Sequence, residues 1–375
     1  MRLSEIGELS LLEQIRKRFE KQSANIVVGI GDDAAVLKPV DKNLLVTTDM
    51  MVEGVHFDLS FITPYQLGFK LISVNVSDIY AMGGIPVYLL LDIAVNKDIN
   101  MTFIDRLFDG VTDAINLYNT ILIGGDLSST NAGMTLSATL IGYAKRYIRR
   151  SGADIGDRIY VTGNLGDSAC GLELLKRIKK PVPIPPTHPS PSPPPYPPPI
   201  SGGGQRRGGF YYRGEGEGGV VSRDSELRTL NLRLSELGLS WNVAEPLLRR
   251  HLMPVARDPK KFIRHATAMI DISDGLLIDL SRLCDESKVG ARIYIKDIPV
   301  SSELKKAASY LGISPIKLAL SGGEDYELLF TVPPDKKVKA ICIGEIIKSE
   351  RVIIDKSGKE TAFAPEGYQH FGIHG

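Results

Sequence analysis

The first 178 residues alternate between short apolar runs and longer stretches with helical periodicity. The apolar runs predict strands at 44–48, 86–95, 121–123, 134–143 and 156–163. The periodic stretches predict helices at 63–82, 102–118 and 165–178. Thr63-Pro64-Tyr65-Gln66 has the pattern of a capping box with proline at the first helical position, and Gly83-Gly84 marks the other end of that helix. This half of the chain is therefore predicted to be an α/β domain.

A second alternation begins near Asp224. It predicts helices at 224–237, 242–252, 275–286 and 302–311. It predicts strands at 267–272, 291–296, 326–332 and 340–347, followed by a hairpin at 351–363. The 375 residues are enough for two domains, which we place at 1–150 and 151–375. The predicted fold class is α/β, with an α+β second domain.

Residues 180–223 form a segment of low complexity between these two patterns. Residues 181–199 hold 12 of the 23 prolines, and 202–219 hold 9 of the 37 glycines. Such a composition buries too little apolar surface to offset the entropy lost on ordering. We expect a surface insertion within the second domain, with a stiff proline-rich part and a flexible glycine-rich part. The alternative is a docking segment, because PSPSPPPYPPP contains PxxP-type sequence.

Charge and cysteine content narrow the class of protein. With 45 basic and 44 acidic residues there is no basic excess, which argues against a nucleic-acid partner. Cys170, Cys284 and Cys342 lie far apart, without the spacing of a disulfide framework or a zinc site. No apolar run of about 18 residues predicts a membrane span, and the N-terminal residues lack the apolar core of a signal peptide. We therefore expect a cytoplasmic protein with no membrane association.

Acidic residues recur in short motifs with glycine, serine or threonine along the whole chain. They are Asp32 and Asp33 in GIGDDAAV, Asp49 in VTTDM, Asp78 in NVSDIYAMGG, Asp126 in IGGDLSST, and Asp271 and Asp274 in IDISDG. Mg²⁺ prefers oxygen ligands and is usually held by a few carboxylates together with substrate phosphates. Taken singly, each motif also fits a surface turn or a helix cap. Together they indicate an enzyme that binds Mg²⁺ and a polyphosphate.

Two common phosphate-binding signatures do not occur in the sequence. There is no GxxxxGK[ST] P-loop, and there is no HRD or DFG set of a protein kinase. Phosphate binding is therefore expected to depend on metal ions and on glycine-rich turns, where backbone N–H groups approach phosphate oxygens. Asn75 and Asp78 are three positions apart and share one face of a predicted helix. An unpaired carboxylate on this largely apolar face is costly, and a metal ion is its simplest partner.

Ten longer motifs occur along the chain in a fixed order. They are VGIGDDAAVL (28–37), TTDMMVEGVHF (47–57), SVNVSDIYAMGGIP (73–86), GGD (124–126), RSGA (150–153), GDRIYVTGNLGDSACGL (156–172), MIDISDGLLIDL (269–280), LSGGEDYELLFT (320–331), IGEI (343–346) and GYQHF (367–371). In this order they resemble the thiamine-monophosphate kinase family, within the superfamily of aminoimidazole ribonucleotide synthetase. The resemblance covers about residues 1–178 and 245–371. TTDMMVEGVHF and SGGEDYELLFT are similar to the motifs that separate the monophosphate kinases from the other members.

The resemblance implies ATP-dependent phosphorylation of thiamine monophosphate to thiamine diphosphate, the final step of thiamine diphosphate biosynthesis. It also implies a two-domain, aminoimidazole ribonucleotide synthetase-like fold. The sheet of its α/β N-terminal domain would pair with that of a second subunit in a homodimer, and its α+β C-terminal domain would pack against the first. ATP and several Mg²⁺ ions would then lie in the cleft between the domains.

The family's motif positions assign roles to individual residues. By resemblance, the metal ligands are Asp33, Thr47, Thr48, Asp49, Asp78, Asp126, Asp271 and Asp274. The ATP contacts are Phe108, Gly125, Asp126, Arg150 and Ser273, with Phe108 at a position where the family more often has tyrosine. The contacts to thiamine monophosphate are His56, Glu324 and Tyr368. No residue is assigned as a catalytic acid or base, because phosphoryl transfer depends mainly on positioning and charge neutralisation.

Some alternatives stay open at this stage. Glu324 suits either the cationic thiazolium of thiamine or its aminopyrimidine. The chain also fits another ATP-dependent synthetase of the same superfamily, or a non-catalytic nucleotide-binding scaffold. A selenophosphate synthetase is disfavoured, because such an enzyme needs a reactive cysteine near its N-terminus and the first cysteine here is Cys170.

Overall fold

The computed structural model describes residues 2–6, 8–20, 23–30, 34–184 and 234–369 of the chain. Asp32, Asp33 and residues 185–223 of the low-complexity segment lie outside these ranges. The helix predicted at 224–237 is described only from residue 234 onward, where 234–236 are helical. None of the described helices is long and apolar enough to cross a membrane.

Two short helices and a small hairpin precede the first large sheet. Helix α1 spans Leu3–Ile6, α2 spans Glu8–Phe19, and the antiparallel strands β1 and β2 span Ile26–Val28 and Val36–Leu37. The ring of Phe19 lies 5.5 Å from that of Phe108, centroid to centroid. The Arg18 guanidinium pairs with Asp109 at 2.7 Å. These contacts fix α2 over the helix that carries Phe108.

The first large sheet has four strands with helices on one face. Its strands are β3 (Asn43–Val52), β4 (Ile85–Val95), β5 (Ile121–Ser129) and β6 (Thr135–Ala144), and its helices are α3 (Pro64–Ala81) and α4 (Met101–Tyr118). The strand order is β3-β6-β4-β5. β4 and β5 are parallel, whereas β6 is antiparallel to both β3 and β4. Apolar side chains of the sheet and of α3 and α4 form one core between them.

Helix α3 begins at the predicted capping box. The Thr63 hydroxyl accepts a hydrogen bond from the Gln66 N–H, and the Gln66 side chain accepts one from the Thr63 N–H. The helix lies against α4 with almost no space between the backbones. A Cβ at Gly68 would collide with the carbonyl of Leu107, and one at Gly110 would collide with the backbone of α3. Glycine at these two positions therefore permits the close approach.

The second large sheet has seven strands. They are β7 (Arg158–Val161), β8 (Met269–Asp271), β9 (Gly290–Tyr294), β10 (Leu328–Val332), β11 (Ile341–Ile347), β12 (Arg351–Ile354) and β13 (Glu360–Ala362). The strand order is β13-β12-β9-β11-β7-β10-β8, and only the β9–β12 pair is parallel. The helices of this half are α5 (Asp167–Ile178), α6 (Trp241–Leu252), α7 (Leu276–Ser287), α8 (Ser302–Leu311) and α9 (Pro315–Ser321).

A shared apolar cluster joins the four-stranded sheet and its helices to helices of the second half of the chain. This cluster includes side chains of α3 and α4 together with those of α5, α6 and α8. A second cluster lies between the seven-stranded sheet and α7 and α9. The mixture of α and β elements confirms the predicted fold class. The division at residue 150 stays a prediction, because the apolar packing is continuous across it.

The start of the low-complexity segment is packed. Val182 and Ile184 are buried in the shared apolar cluster. The Gln66 side chain donates a hydrogen bond of 2.6 Å to the Val182 carbonyl. Residues 180–184 thus differ from the loose insertion predicted from composition, because their two alternating apolar side chains find a core.

Several elements also differ from the pattern-based expectation. Strand β3, predicted at 44–48, extends to Val52, so Asp49 lies within it. Strand β5 extends to Ser129 and includes the GGD motif, although apolar character ends near residue 123. Strand β10 begins at Leu328, because Glu324 and Tyr326 have positive φ angles of 66° and 49° and no strand passes through such residues. Helix α9 was not predicted, since its seven residues are too few for a clear period.

Candidate active site

The C-terminal half of α3 carries polar side chains that bond to both large sheets. Toward β3, the Asn75 side chain accepts a hydrogen bond of 3.1 Å from the Asp49 N–H, and the Thr47 hydroxyl donates one of 2.6 Å to Asp78. Toward β8, the Ser77 hydroxyl donates one of 2.6 Å to the Asp271 carboxylate. A buried polar group is costly unless it is bonded in this way. The helix therefore positions carboxylates from both halves of the chain.

We call Asp49, Asp78, Asp271 and Asp274 the acidic cleft. Burial raises the pKa of Asp49 to about 6, and the nearby charges of Asp78 and Asp274 add to the shift. Burial also raises the pKa of Asp78, against the effects of the Thr47 hydrogen bond and of Arg150. The pKa of Asp271 lies well above its usual value, first through burial and then through Asp78. Several carboxylates thus lie close together in one partly desolvated space, where each makes ionisation of the others less favourable.

The donors of the acidic cleft fit Mg²⁺ in their chemistry. They are oxygen atoms whose mutual repulsion a divalent cation would relieve. Within the described part of the chain, no three His, Cys, Asp or Glu side chains are grouped closely enough to hold a metal ion by themselves. This agrees with the usual Mg²⁺ site, in which one or two carboxylates act together with waters and substrate phosphates.

The structure separates two of the assigned metal ligands from this cleft. Successive side chains of a strand point to opposite faces. Thr47 and Asp49 face α3, so Thr48 faces the other side of the sheet, where it accepts a hydrogen bond of 3.2 Å from Thr139. Asp126 lies on that side as well, beside Asp92 of the neighbouring strand. Their assignment as ligands stays a prediction, and the described geometry does not bring their side chains to Asp78.

A second group of charged residues surrounds Glu324. Its Oε1 lies 2.7 Å from the Lys70 Nζ, and its Oε2 lies 3.1 Å from the His251 Nδ1. His56 lies within electrostatic range of this carboxylate, and its own Nδ1 accepts a hydrogen bond from the Val52 N–H. The Glu324 backbone N–H donates a hydrogen bond of 2.7 Å to the carbonyl of Ser273.

The Tyr326 phenol connects this group to the acidic cleft. Its pKa lies well above the usual value, first through burial and then through the carboxylates of Glu324, Asp49, Asp271 and Asp78. The Tyr326 N–H also donates a hydrogen bond of 2.9 Å to the Ile272 carbonyl, which follows Asp271 directly in the chain. The group around Glu324 and the acidic cleft are therefore adjacent parts of one site.

Tyr368 and Ser273 lie at the border of the acidic cleft. The Tyr368 N–H donates a hydrogen bond of 3.0 Å to the Asp274 carbonyl, and the Tyr368 side chain is exposed. The Asp274 carboxylate pairs with Arg282 at 2.6 Å, which also bonds to Asp279. Burial raises the pKa of Asp279 to about 6, against its hydrogen bonds with the backbone N–H groups of Asp274 and Gly275.

The assigned ATP contacts are spread over different surroundings. Arg150 is exposed near Asp78, where its guanidinium opposes the rise in the pKa of Asp78. Gly125 is exposed on β5. Phe108 is buried in the core against Phe19, so its ring presents no face to the site while α2 keeps its position.

Sequence patterns missed Lys70, His251 and Tyr326. Lys70 lies within the otherwise apolar LGFKLISVNV, where a lysine on a buried helix face signals a buried partner. His251 and Tyr326 carry no comparable signal. Their role depends on contacts between residues far apart in the chain.

The pKa of Asp49 gives a stability prediction for the metal-free protein. Because the pKa is raised from 3.8 to about 6 in the folded state, the favourable contribution of protonated Asp49 is full below about pH 4 and is lost as the pH rises through 6. Asp49→Asn cannot ionise, so it should exceed the wild type in stability above pH 7, by about 3 kcal/mol, and match it near pH 4. Urea unfolding in EDTA at both pH values measures the difference. A difference that does not change with pH would contradict the electrostatic description of the cleft.

Two comparisons by sequence now define the class of the protein. The N-terminal domain of AIR synthase related proteins matches residues 31–144, and the C-terminal domain matches residues 217–352. These matches place the chain among the AIR synthase related proteins. Thiamine-monophosphate kinase of Aquifex aeolicus is 35% identical over 99% of this chain and 100% of its own length, and that of Buchnera aphidicola is 32% identical over 97% and 98%. The chain belongs to the thiamine-monophosphate kinase family.

A solved structure agrees with this family membership. AaThiL complexed with AMPPCP and TMP is 33% identical to this chain, covers 99% of both chains and superposes with a TM-score of 0.68. The predicted family and two-domain fold are thereby confirmed.

Proposed function

We propose that this chain transfers the γ-phosphoryl group of ATP to thiamine monophosphate, giving thiamine diphosphate and ADP. Its relatives are named for this activity, and the similar AaThiL structure holds AMPPCP and TMP. The observation that carries the proposal is the pair of backbone hydrogen bonds from Glu324 to Ser273 and from Tyr326 to Ile272, which place Glu324 beside the segment of Asp271 and Asp274. A place for metal-bound phosphates thus adjoins a place for an organic group within one cleft.

The chemistry requires little covalent work from the protein. An oxygen of the monophosphate attacks the γ-phosphorus of ATP, and the bond from that phosphorus to the β,γ-bridging oxygen breaks to release ADP. The attacking oxygen is already anionic near neutral pH, so no strong general base is needed. Positioning and charge neutralisation carry most of the catalysis in such a transfer.

The residues that would hold Mg²⁺ are those of the acidic cleft, together with Asp33. Bound Mg²⁺ supplies neutralisation of donor and acceptor phosphates that otherwise repel one another. The Thr47 hydroxyl fixes the Asp78 carboxylate, and Asn75 fixes the backbone at Asp49. Arg150 offers a cation to a phosphate on the exposed side of the cleft. Gly125, Ser273, Asp126 and Phe108 stay proposed nucleotide contacts.

Thiamine monophosphate is proposed to bind at Glu324, His56 and Tyr368. The test of the function is incubation of the purified protein with ATP, Mg²⁺ and thiamine monophosphate, followed by chromatography of the thiamine esters. Thiamine diphosphate should form in amounts equal to ADP. Nucleotide binding without any product would instead support a scaffold, and turnover only with a different acceptor would support another synthetase of the superfamily.

A homodimer is proposed from the open face of the four-stranded sheet. Leu44, Val46, Met50 and Ile85 lie on this face, and each is between 50% and 60% exposed. The β1–β2 hairpin packs on part of the same face, near Tyr88 and Tyr143. A second subunit would bury the exposed apolar side chains. Thr48 and Asp126 lie on the same face, so their predicted roles would be completed by that subunit.

Val46→Glu should disrupt such a dimer. Val46 is 60% exposed and would be buried by the partner, where an unpaired charge is costly. Sedimentation velocity should show a dimer for the wild type and a shift of at least about tenfold in the dissociation constant for the variant. Ile155→Glu is the matched control, because Ile155 is 65% exposed outside this sheet. Equal sedimentation of both variants and the wild type would contradict the proposed interface.

Residues 185–223 are proposed to be dispensable for the chemistry. All assigned site residues lie outside this range, and the cost of loop closure rises only slowly with length. Replacement by a short Gly/Ser connection that keeps Val182 and Ile184 should leave kcat and KM within about twofold of the wild type. Extending the replacement to residue 180 should lower stability, because both apolar side chains are then lost. Loss of activity in a folded, dimeric form of the shorter replacement would make the segment part of the site.

A further inference from the structure

Glu324 belongs to a group of polar side chains with Lys70, His251 and Ser168. Within this group, Glu324 is the partly exposed member. Its side chain is 28% exposed, whereas the paired Lys70 side chain is 1% exposed and that of His251 is 6%. Behind them, the Ser168 hydroxyl lies 3.1 Å from the His251 Nδ1. A ligand in the cleft would therefore meet the Glu324 carboxylate but not the lysine or the histidine that hold it.

The charges of the side chains in this group cancel. Burial and the nearby charge of Lys70 lower the pKa of His251 to about 3, so the imidazole is neutral, with its Nδ1 3.1 Å from the Glu324 carboxylate. Burial acts to raise the pKa of Glu324, but the charge and the hydrogen bond of Lys70 outweigh it, so the pKa lies below its usual value and the group is a carboxylate. One ammonium then faces one carboxylate at 2.7 Å, with no net charge left over.

His56 and Tyr326 lie next to Glu324, and the carboxylates of the acidic cleft adjoin Tyr326. The Nδ1 of His56 accepts the Val52 N–H, which requires the neutral imidazole. Tyr326 is held as the neutral phenol. A cation that approaches the carboxylate from the cleft therefore also approaches the ammonium of Lys70, and the repulsion offsets much of the attraction.

We propose that Glu324 selects its ligand by accepting a hydrogen bond from a neutral amino group, and that Lys70 is the positioning residue that removes its preference for a cation. A carboxylate has about four lone-pair sites, and Lys70 and His251 use one on each oxygen. The remaining sites face the cleft. The inference rests on the proposed function, in which the amino group is that of the aminopyrimidine and the disfavoured alternative is the thiazolium.

Two substrate analogues test the preference of Glu324 for a neutral amino group with the wild-type protein. In one, an oxygen replaces the amino group of the pyrimidine; in the other, an uncharged thiophene replaces the thiazolium. The oxygen analogue should lose at least about 100-fold in kcat/KM, because the carboxylate then faces an acceptor. The thiophene analogue should lose less than about tenfold. The reverse order would overturn the proposal without any mutation being made.

Variants of Lys70 separate this role from a merely structural one. The readout is the kcat/KM for thiamine monophosphate divided by that for the thiophene analogue, which does not depend on the amount of folded enzyme. In Lys70→Met the unpaired carboxylate should favour the cationic substrate, and this ratio should rise about tenfold. In Lys70→Met/Glu324→Gln the ratio should return to that of the wild type. Lys176→Met, at a lysine paired with Glu173, should leave it unchanged.

The outcomes distinguish failure of the proposed role of Lys70 from failure of the proposed function. If the wild type forms no thiamine diphosphate, the proposed function fails and the inference falls with it. If the wild type is active but the ratio is the same in all four proteins, the function stands and the role of Lys70 is wrong.

Discussion

Replacing Asp78 with asparagine is expected to lower kcat by about 10²- to 10³-fold, by comparison with other sites where one charged group stabilises the reaction. Asparagine keeps the size of the side chain and an oxygen that accepts the Thr47 hydroxyl, so the change removes mainly a negative charge. Without that charge the cleft binds Mg²⁺ and its phosphates less well. The measurement is kcat at saturating ATP and thiamine monophosphate, over a range of Mg²⁺ concentrations.

Asp105→Asn is the matched control for this prediction. Asp105 is exposed on α4 and lies outside the acidic cleft, so the same chemical change should leave kcat unaltered. Unfolding curves should show that both variants are folded. If Asp78→Asn retains wild-type kcat at every Mg²⁺ concentration, the assignment of the acidic cleft to metal binding is wrong.

Replacing Glu324 with alanine is expected to affect substrate binding and stability together. The KM for thiamine monophosphate should rise about 100-fold, because the pocket loses its acceptor. The KM for ATP should stay within about twofold. The free energy of unfolding should fall by about 3–5 kcal/mol, because the buried ammonium of Lys70 loses its partner.

A double variant separates the two consequences of losing Glu324. In Glu324→Ala/Lys70→Met the unpaired charge is gone, so most of the stability should return. The raised KM should persist, because no acceptor has been restored. Equal KM increases for ATP and for thiamine monophosphate in the single variant would show that Glu324 belongs to the nucleotide part of the site.

Local rules explain which parts of the fold were predictable from sequence. The capping box at Thr63 and the apolar periods placed α3 and α4 within a few residues, because short-range hydrogen bonds and one buried face decide those helices. The end of β5 and the start of β10 depend instead on partner strands and on two residues with positive φ. Such features are set by tertiary contacts that no local pattern records.

The candidate site shows the same division. The motifs singled out Asp49, Asp78 and Asp271, which lie on β3, α3 and β8, and α3 bonds to both strands. The sequence also contained a reason to separate Thr48 from Thr47, because adjacent strand residues face opposite sides. Lys70 and His251 meet Glu324 only through folding of segments far apart in sequence.

The central claim is that one cleft transfers a phosphoryl group directly between two bound substrates. The most direct test is to supply ATP labelled with ³²P in its γ-phosphate, together with thiamine monophosphate and Mg²⁺, and to locate the label. The predicted result is label in the terminal phosphate of thiamine diphosphate, with one ADP formed for each labelled product and little inorganic phosphate. Label that appears only in inorganic phosphate, or ATP that is left uncleaved, would contradict the proposed function.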